Sequence, residues 1–313
     1  MEILASLADA ARSGLLRGGA VAVGNFDGVH LGHQALLRRA LELARARGAR
    51  AGVLTFEPHP VRVLRPQLAP PLLTLLPRKL ELLAGHGLDA AVVQPFDLAY
   101  AATGAPAFVA RDLLGALGVR DVVVGWDFTA GHERARVEAL RPLLQAGGAG
   151  LHVVEPVAEG GLTVSSTKVR EFLLEGKVEA AALLLTRPHD LDGRVVPGAG
   201  RGRGLGFGTA NLATGGLLPG NGVYAVRARL GGAGGWIPGV CNVGVKPTVD
   251  GTGRAAAEVH LLEHDGRDLY GATLRVGFVA RLRDERRFPS LDALRAQIAD
   301  DAGRARALLA GAG

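Results

Sequence analysis

Short runs of apolar residues, each the length of one strand, recur through the first half of the chain: Val21–Gly24, Ala51–Phe56, Ala91–Gln94, Asp121–Gly125 and Leu151–Glu155. Between them apolar residues fall at helical spacing, as in Leu36, Leu37, Ala40, Leu41 and Ala44 ahead of Gly48. Strands about thirty residues apart with helices between them predict a doubly wound parallel sheet. Such sheets hold ligands at the carboxyl ends of their strands. The pattern continues with helices over Thr167–Leu174 and Val178–Leu185, then changes. From Arg187 glycine-rich turns separate the extended runs Gly193–Val196, Gly222–Arg229, Trp236–Val243, Ala257–Leu262 and Ala272–Val279, which predict a small antiparallel barrel. Ser290 is placed to cap a terminal helix with Leu291, Leu294, Ile298, Ala305 and Leu308 on one face. The expected division is residues 1–186 and 187–313, with the boundary near Leu185–Arg187.

Composition narrows the class. A chain of 313 residues suits two ordinary domains, and 48% apolar with 21% charged residues excludes a disordered or fibrous chain. Glycine is abundant, at 46 residues, without the three-residue period of collagen. Cys241 is the single cysteine, which excludes an internal disulfide or thiolate cluster and fits a reducing compartment. Asp9 precedes the first arginine, the wrong order for a secretory signal, and no apolar run approaches the ~18 residues of a membrane span. A soluble, cytoplasmic protein is therefore expected, without a membrane partner. The net charge of +6 invites a nucleic-acid reading. Against it, the arginines are scattered, only Lys79, Lys168, Lys177 and Lys246 are lysines, and aromatics at 4% leave few stacking platforms.

Candidate chemistry concentrates at strand ends. Gly24-Asn25-Phe26-Asp27-Gly28-Val29-His30-Leu31-Gly32-His33 leaves one predicted strand and enters a helix, where unpaired backbone N–H groups and the helix dipole favour phosphate. His30 and His33 can both face one anion there, with glycines admitting close approach. A metal site competes, but His-x-x-His lacks a third ligand. His59, between Pro58 and Pro60, closes the second strand; an exposed loop histidine is the plain alternative. Asp127 follows the fourth strand and is expected either to bond a ligand or to cap the next helix. Ser165-Ser166-Thr167-Lys168-Val169-Arg170 opens a helix with two or more hydroxyls and two cations, more donors than a simple N-cap uses. Two phosphate-grasping helix starts on one sheet imply a nucleoside triphosphate.

The His-x-Gly-His stretch with the late Ser-Ser-Thr-x-x-Arg resembles the nucleotidylyltransferase superfamily, and the whole chain resembles the bacterial bifunctional riboflavin kinase/FAD synthetases. The second half carries Gly202–Asn211, Gly222-Val223-Tyr224, Asn242–Thr248, Glu258-Val259-His260, Leu269-Tyr270-Gly271 and Arg281–Glu285 in that family's order. The resemblance implies a Rossmann-like FMN adenylyltransferase domain followed by a riboflavin kinase barrel with a terminal helix. It implies riboflavin, FMN and ATP as small-molecule substrates, FAD as product and Mg²⁺ as cofactor, with no nucleic-acid partner; oligomeric state is left unknown. His30 and His33 would be catalytic, with Gly24, Phe26, Gly32, Ser166, Thr167 and Arg170 binding ATP phosphates and His59 and Asp127 at the nucleotide and flavin pocket. Asn25 and Asp27 would shape the loop. Thr209 and Asn211 would hold Mg²⁺ and ATP in the kinase, Glu258 would be its base, and Arg203 and Arg283 would touch phosphate or flavin. Without the resemblance, Glu258 reads as an exposed strand carboxylate. Two positions depart from the family: Gly208 stands for its proline, and Ala130 for its usual phenylalanine. The rival readings are an adenylyltransferase with a kinase half impaired through Gly208, and a non-catalytic flavin- or nucleotide-binding regulator.

Overall fold

The valine and alanine runs read from the sequence form the middle of a six-stranded parallel sheet in the computed structural model, which describes residues 1–197, 209–231, 234–246, 254–263 and 269–311. Its strands are β1 (Glu2–Leu4), β2 (Ala20–Val23), β3 (Ala51–Glu57), β4 (Ala90–Pro95), β5 (Asp121–Gly125) and, beyond the hairpin of β6 (Thr129–Ala130) and β7 (Ala135–Arg136), β8 (Gly150–Val154). They lie in the order β1-β4-β3-β2-β5-β8 with every neighbouring pair parallel. Alternation sends Val21, Val23, Leu54, Val92, Val122 and Val124 into one core. Ala20, Ala22, Val53, Ala91 and Val123 enter the other. Helices α1 (Leu7–Ser13) and α7 (Val137–Ala146), with a π-helix at Phe108–Leu117, cover the first face. Helices α2 (Leu31–Ala46) and α4 (Leu76–Ala84) cover the second. Shorter turns α3 (Pro60–Leu64), α5 (Leu98–Ala101) and α6 (Ala105–Ala107) line the strand ends, and a small hairpin, β9 (Ala158–Glu159) with β10 (Leu162–Thr163), ends this part.

The doubly wound sheet is the one the sequence predicts, and its order fixes where a ligand can enter. From β2 the chain winds outward through β3 and β4, then returns to place β5 on β2's other side. The switch point lies between β2 and β5, where the connections diverge and leave a crevice at the carboxyl ends.

Helices α8 (Ser166–Leu174) and α9 (Val178–Leu185) follow, within a residue of their expected ends. The barrel consists of β11 (His189–Val196), β12 (Thr209–Ala213), β13 (Gly222–Leu230), β14 (Ile237–Lys246), β15 (Arg254–Leu261) and β16 (Thr273–Arg283). It closes in the order β11-β12-β15-β14-β13-β16, with β16 antiparallel to β11. Tyr224, Cys241, Val259 and Phe278 fill its interior, each fully buried. The sequence reading missed β1, β12 and the two short hairpins β6–β7 and β9–β10.

Ser290 caps α10 (Leu291–Ala310), its Oγ accepting from the Ala293 N–H at 3.2 Å. The buried stripe of α10 differs from the expected one: Leu291 and Leu308 are exposed, and Asp301, Ala302, Ala305 and Leu309 face inward. Asp301 is buried because Arg283 meets it with two nitrogens, at 3.0 Å from Nε and 2.8 Å from Nη2. That ion pair engages the guanidinium of Arg283 with α10. By contacts the chain forms two units, Met1–Pro70 with Leu76–Ser165, and Pro71–Leu75 with Ser166–Gly313. The stray segment joins the second unit through Leu72, whose carbonyl accepts from the Leu217 N–H at 2.8 Å. None of the described helices is long and apolar enough to cross a membrane.

Candidate functional site

The loop from β2 to α2 occupies the switch point. Phe26 and Val29 hold positive φ, at 49° and 45°, and Gly28 sits at 89°. A β-branched residue in that region is a genuine outlier costing about 1–3 kcal/mol, of the kind that surrounding structure maintains at functional sites. The strained turn delivers His30 to the N-cap of α2, where its Nδ1 accepts from the His33 N–H at 3.4 Å. Accepting at Nδ1 leaves the proton of a neutral His30 on Nε2, a donor for a ligand oxygen. His33 stacks on His30 with centroids 3.7 Å apart, and the fully buried Phe26 ring presents its edge to His33 at 5.3 Å. The Phe26 side chain therefore braces a histidine. Gly32 lies close against His30: a Cβ there would stand a tight 3.2 Å from its ring. Gly24 likewise lies against Phe26, whose ring a Cβ would meet at 3.4 Å.

Burial holds the His33 imidazole well below its ordinary value, with positive charge on His30 and Lys79 acting in the same direction. Its Nδ1 is buried and has no hydrogen-bond partner. At neutral pH His33 is therefore a neutral polar ring and not a cation. Lys79, on α4, is 3% exposed, and burial lowers its ammonium while the charges of Asp27 and Glu57 oppose that shift. Asp27 is itself 2% exposed. Sequence reasoning counted Lys79 only as one of four lysines, yet it shares the buried face of α4 with Leu83, one turn on. A lysine at an apolar position of an amphipathic helix was the signal available.

His59 is buried and caps α3, its Nδ1 accepting from the Val61 N–H at 3.3 Å. The exposed-loop alternative is thereby excluded. Asp127 is exposed in the turn after β5, across the switch point from the β2 loop. It caps no helix, because the next element is β6. Ser166 and Thr167 open α8, and Arg170 on its next turn donates from Nε to the Pro71 carbonyl at 2.9 Å. Ser166, Thr167 and Arg170 belong to the second contact unit, His30, His33, His59, Lys79 and Asp127 to the first.

In the barrel, residues of β12, β15 and β14 align. Asn211 stands directly opposite Glu258, and Glu258 directly opposite Asn242 on the other side. Opposite residues of neighbouring strands share a face, so these three form one polar row. Thr209 joins that face two residues before Asn211, opposite His260. Ala210, Leu212, Ala257 and Val259 alternate with them into the core. Asn242 extends the row by donating to Glu285 Oε1 at 3.3 Å, and Gly244 leaves room for that carboxylate: a Cβ there would stand 2.3 Å from it. Asn242 and Glu285 were quoted in family motifs without a role; only the register reveals the row. A hydroxyl, an amide oxygen and a carboxylate are the hard oxygen donors Mg²⁺ prefers, so these residues fit the implied cation. Among the described residues no cluster of three His, Cys, Asp or Glu side chains is arranged to hold a metal by itself. Arg203 and Gly208 lie outside the described residues.

A parallel sheet with a histidine-capped helix at its switch point, and a barrel with a carboxylate–amide row, suit a protein that handles phosphate groups. Family models agree for both parts: one described as FAD synthetase matches residues 13–168, and one described as riboflavin kinase matches residues 185–309. The bifunctional riboflavin kinase/FMN adenylyltransferase of Pseudomonas fluorescens is 42% identical over 94% of each chain. That of Escherichia coli K12 is 41% identical, covering 91% of this chain and 90% of its own. A crystal structure described as a macrolide-efflux protein from Streptococcus pneumoniae shares the fold at a TM-score of 0.82 and 30% identity, over 93% of this chain and 94% of that one. The chain belongs to the bifunctional riboflavin kinase/FMN adenylyltransferase family of flavin-cofactor enzymes.

Proposed function

We propose that this chain makes FAD from riboflavin in two ATP-dependent steps, phosphorylation to FMN and then adenylylation. What carries the reading is the simultaneous match of both halves, over nearly the full length of the relatives. The substrates are small molecules, with neither nucleic acid nor membrane as partner, and the lone cysteine supports a reducing cytoplasmic setting. The functional division is 1–186 for adenylyl transfer and 187–313 for the kinase.

In the adenylyl step an FMN phosphate oxygen attacks the α-phosphorus of ATP. A new P–O bond forms, the α–β anhydride bond breaks, and pyrophosphate leaves with the electron pair. No protein nucleophile takes part, so catalysis consists of alignment and charge stabilisation. His30, presenting its Nε2–H, and His33 bond the phosphates as negative charge shifts toward the leaving group. The α2 N–H groups and Gly32 admit the chain of phosphates closely. Ser166, Thr167 and Arg170 grip the departing phosphates, and His59 and Asp127 line the nucleotide and flavin pocket.

In the kinase step the ribityl 5′-hydroxyl of riboflavin attacks the γ-phosphorus of ATP, and ADP leaves. Glu258 accepts the hydroxyl proton. Thr209 and Asn211 hold Mg²⁺ and the ATP phosphates, the cation supplying charge neutralisation among phosphate oxygens.

A chromatographic product assay tests this reading. Purified protein with ATP and Mg²⁺ receives riboflavin in one tube and FMN in another. The expected result is FAD from both, with FMN appearing transiently in the first. FAD from the FMN tube alone would restrict the function to adenylyl transfer and direct attention to Gly208. No product in either tube would overturn the enzymatic reading.

A further inference from the structure

One buried cation of the first unit has no part in the chemistry derived so far. Lys79 is 3% exposed, and none of the hydrogen bonds or ion pairs among the described residues includes it. Taking an ammonium out of water costs several kcal/mol unless charge and hydrogen bonds compensate. The carboxylates of Asp27 and Glu57 supply charge at longer range, without a direct pair. Asp27 lies on the strained β2–α2 turn and Glu57 ends β3, the neighbour of β2, so both belong to the carboxyl ends of adjacent strands beside the switch point. His33, neighbour to Lys79 in charge, has an unpartnered, buried Nδ1 in the same place. Lys79 is held in that position by the helix that carries it: Leu83, one turn further on, is fully buried in the core beneath β2 and β3.

We propose that Lys79 is a catalytic residue of the adenylyl-transfer site, its ammonium binding phosphate oxygens of ATP beside His30 and His33. The proposal rests on the reading of the first unit as an FMN adenylyltransferase. ATP and pyrophosphate carry several negative charges, and the local groups must meet them. His33 is neutral there, so it offers hydrogen bonding without charge. Asp27 and Glu57 are repulsive. Lys79 provides a full positive charge to this cluster, offsetting the two carboxylates that the phosphates would otherwise confront. A buried ammonium without a direct partner also has its three donors available, which a phosphate oxygen satisfies better than a distant carboxylate. Lys79 keeps its proton throughout; it stabilises charge as the anhydride bond breaks.

The test uses the full chain with Lys79→Met, Lys79→Arg and Lys79→Gln, measuring FAD from FMN and FMN from riboflavin in the same preparations, with melting curves. Lys79→Met is expected to lower kcat/KM for ATP in adenylyl transfer by about 100-fold or more, leaving KM for FMN and the kinase step within about twofold. Lys79→Arg should recover about tenfold of that loss by restoring the charge. Should Lys79→Met melt early, Lys79→Gln, which drops the charge but keeps a hydrogen-bonding end, is read by the same criteria. Adenylyl transfer within about threefold of wild type in the uncharged variants overturns the proposal. So does a parallel loss of melting temperature and both activities in Met and Gln variants, which would make Lys79 a packing residue. Wild-type chain that yields no FAD from FMN refutes the adenylyltransferase reading itself, an outcome distinct from an active wild type with active variants.

Discussion

His33 is a histidine whose surroundings forbid charge, and this gives it a stability signature. Burial, His30 and Lys79 all lower its proton affinity below the ordinary 6.5. In the unfolded chain the same imidazole takes up a proton near pH 6.5, while the folded protein resists until the pH is lower. Acid therefore favours the unfolded state in that window: the contribution is complete above about pH 6.5 and is lost as pH falls, by up to about 1.4 kcal/mol per unit. Urea unfolding of wild type and His33→Gln between pH 5 and pH 7.5 should show a steeper acid loss in wild type. Equal slopes would refute the assignment. The residues proposed as catalytic make a second, sharper prediction. His30→Ala should reduce FAD formation from FMN by about 10²–10³-fold and leave FMN formation from riboflavin intact. Glu258→Ala should reduce the kinase step by about 10²–10⁴-fold and spare adenylyl transfer from supplied FMN. Product chromatography reads both, and equal loss of both activities in either variant would contradict the two-site assignment.

Elements differ in how plainly the sequence declares them. Strands buried on both faces write continuous apolar runs, which is why β2 to β5 were legible to within a residue or two; the edge strand β8, mostly half-buried, was legible from its apolar Leu151, Val153 and Val154. The strand β1 was not: it has three residues, begins with Glu2, and leaves Ile3 55% exposed at the sheet edge. In β12 the alternation spans only Thr209–Ala213 and reads as motif before it reads as strand. The His-x-Gly-His loop was legible because glycines and histidines advertise a special backbone, whereas Lys79 was masked by the ordinary habit of lysines to face water. The α10 stripe went wrong for a related reason, since an apolar count cannot foresee that Asp301 turns inward to meet Arg283. That pair makes a prediction about the element. Asp301→Ala leaves the Arg283 guanidinium, 17% exposed, without its carboxylate. It should cost about 2–4 kcal/mol of barrel stability. Urea unfolding followed by Trp236 emission in a Trp126→Phe background measures it, and a loss under about 0.5 kcal/mol would show the pair to be ornamental.

On the scale of the whole molecule, the family-model matches and the contacts divide the chain differently. The FAD synthetase match runs to residue 168, whereas the second contact unit already begins at Ser166. Helix α9 buries Val178, Ala181, Leu184 and Leu185, and Glu179 Oε1 accepts from the Arg281 N–H of β16 at 2.8 Å. The Arg281 guanidinium also donates to the carbonyls of Glu175 and Asn221, at 3.3 and 2.7 Å. A barrel fragment beginning at residue 187 keeps the Asn221 bond but forfeits α9 and the contacts of Arg281 with Glu175 and Glu179, and should melt well below one beginning at residue 166, a difference that thermal denaturation of the two fragments detects. Similar melting temperatures would show that α8 and α9 are dispensable to the barrel. The same helices open with Ser166, Thr167 and Arg170, the residues on which the proposed adenylyl step draws. On the proposed reading, a stretch of about twenty residues would serve one activity through its side chains and the other through its packing. On that reading heredity would have no clean place to separate the pair: a gene truncated ahead of that stretch would strip the adenylyl step of its grip, and one begun after it would unseat the kinase.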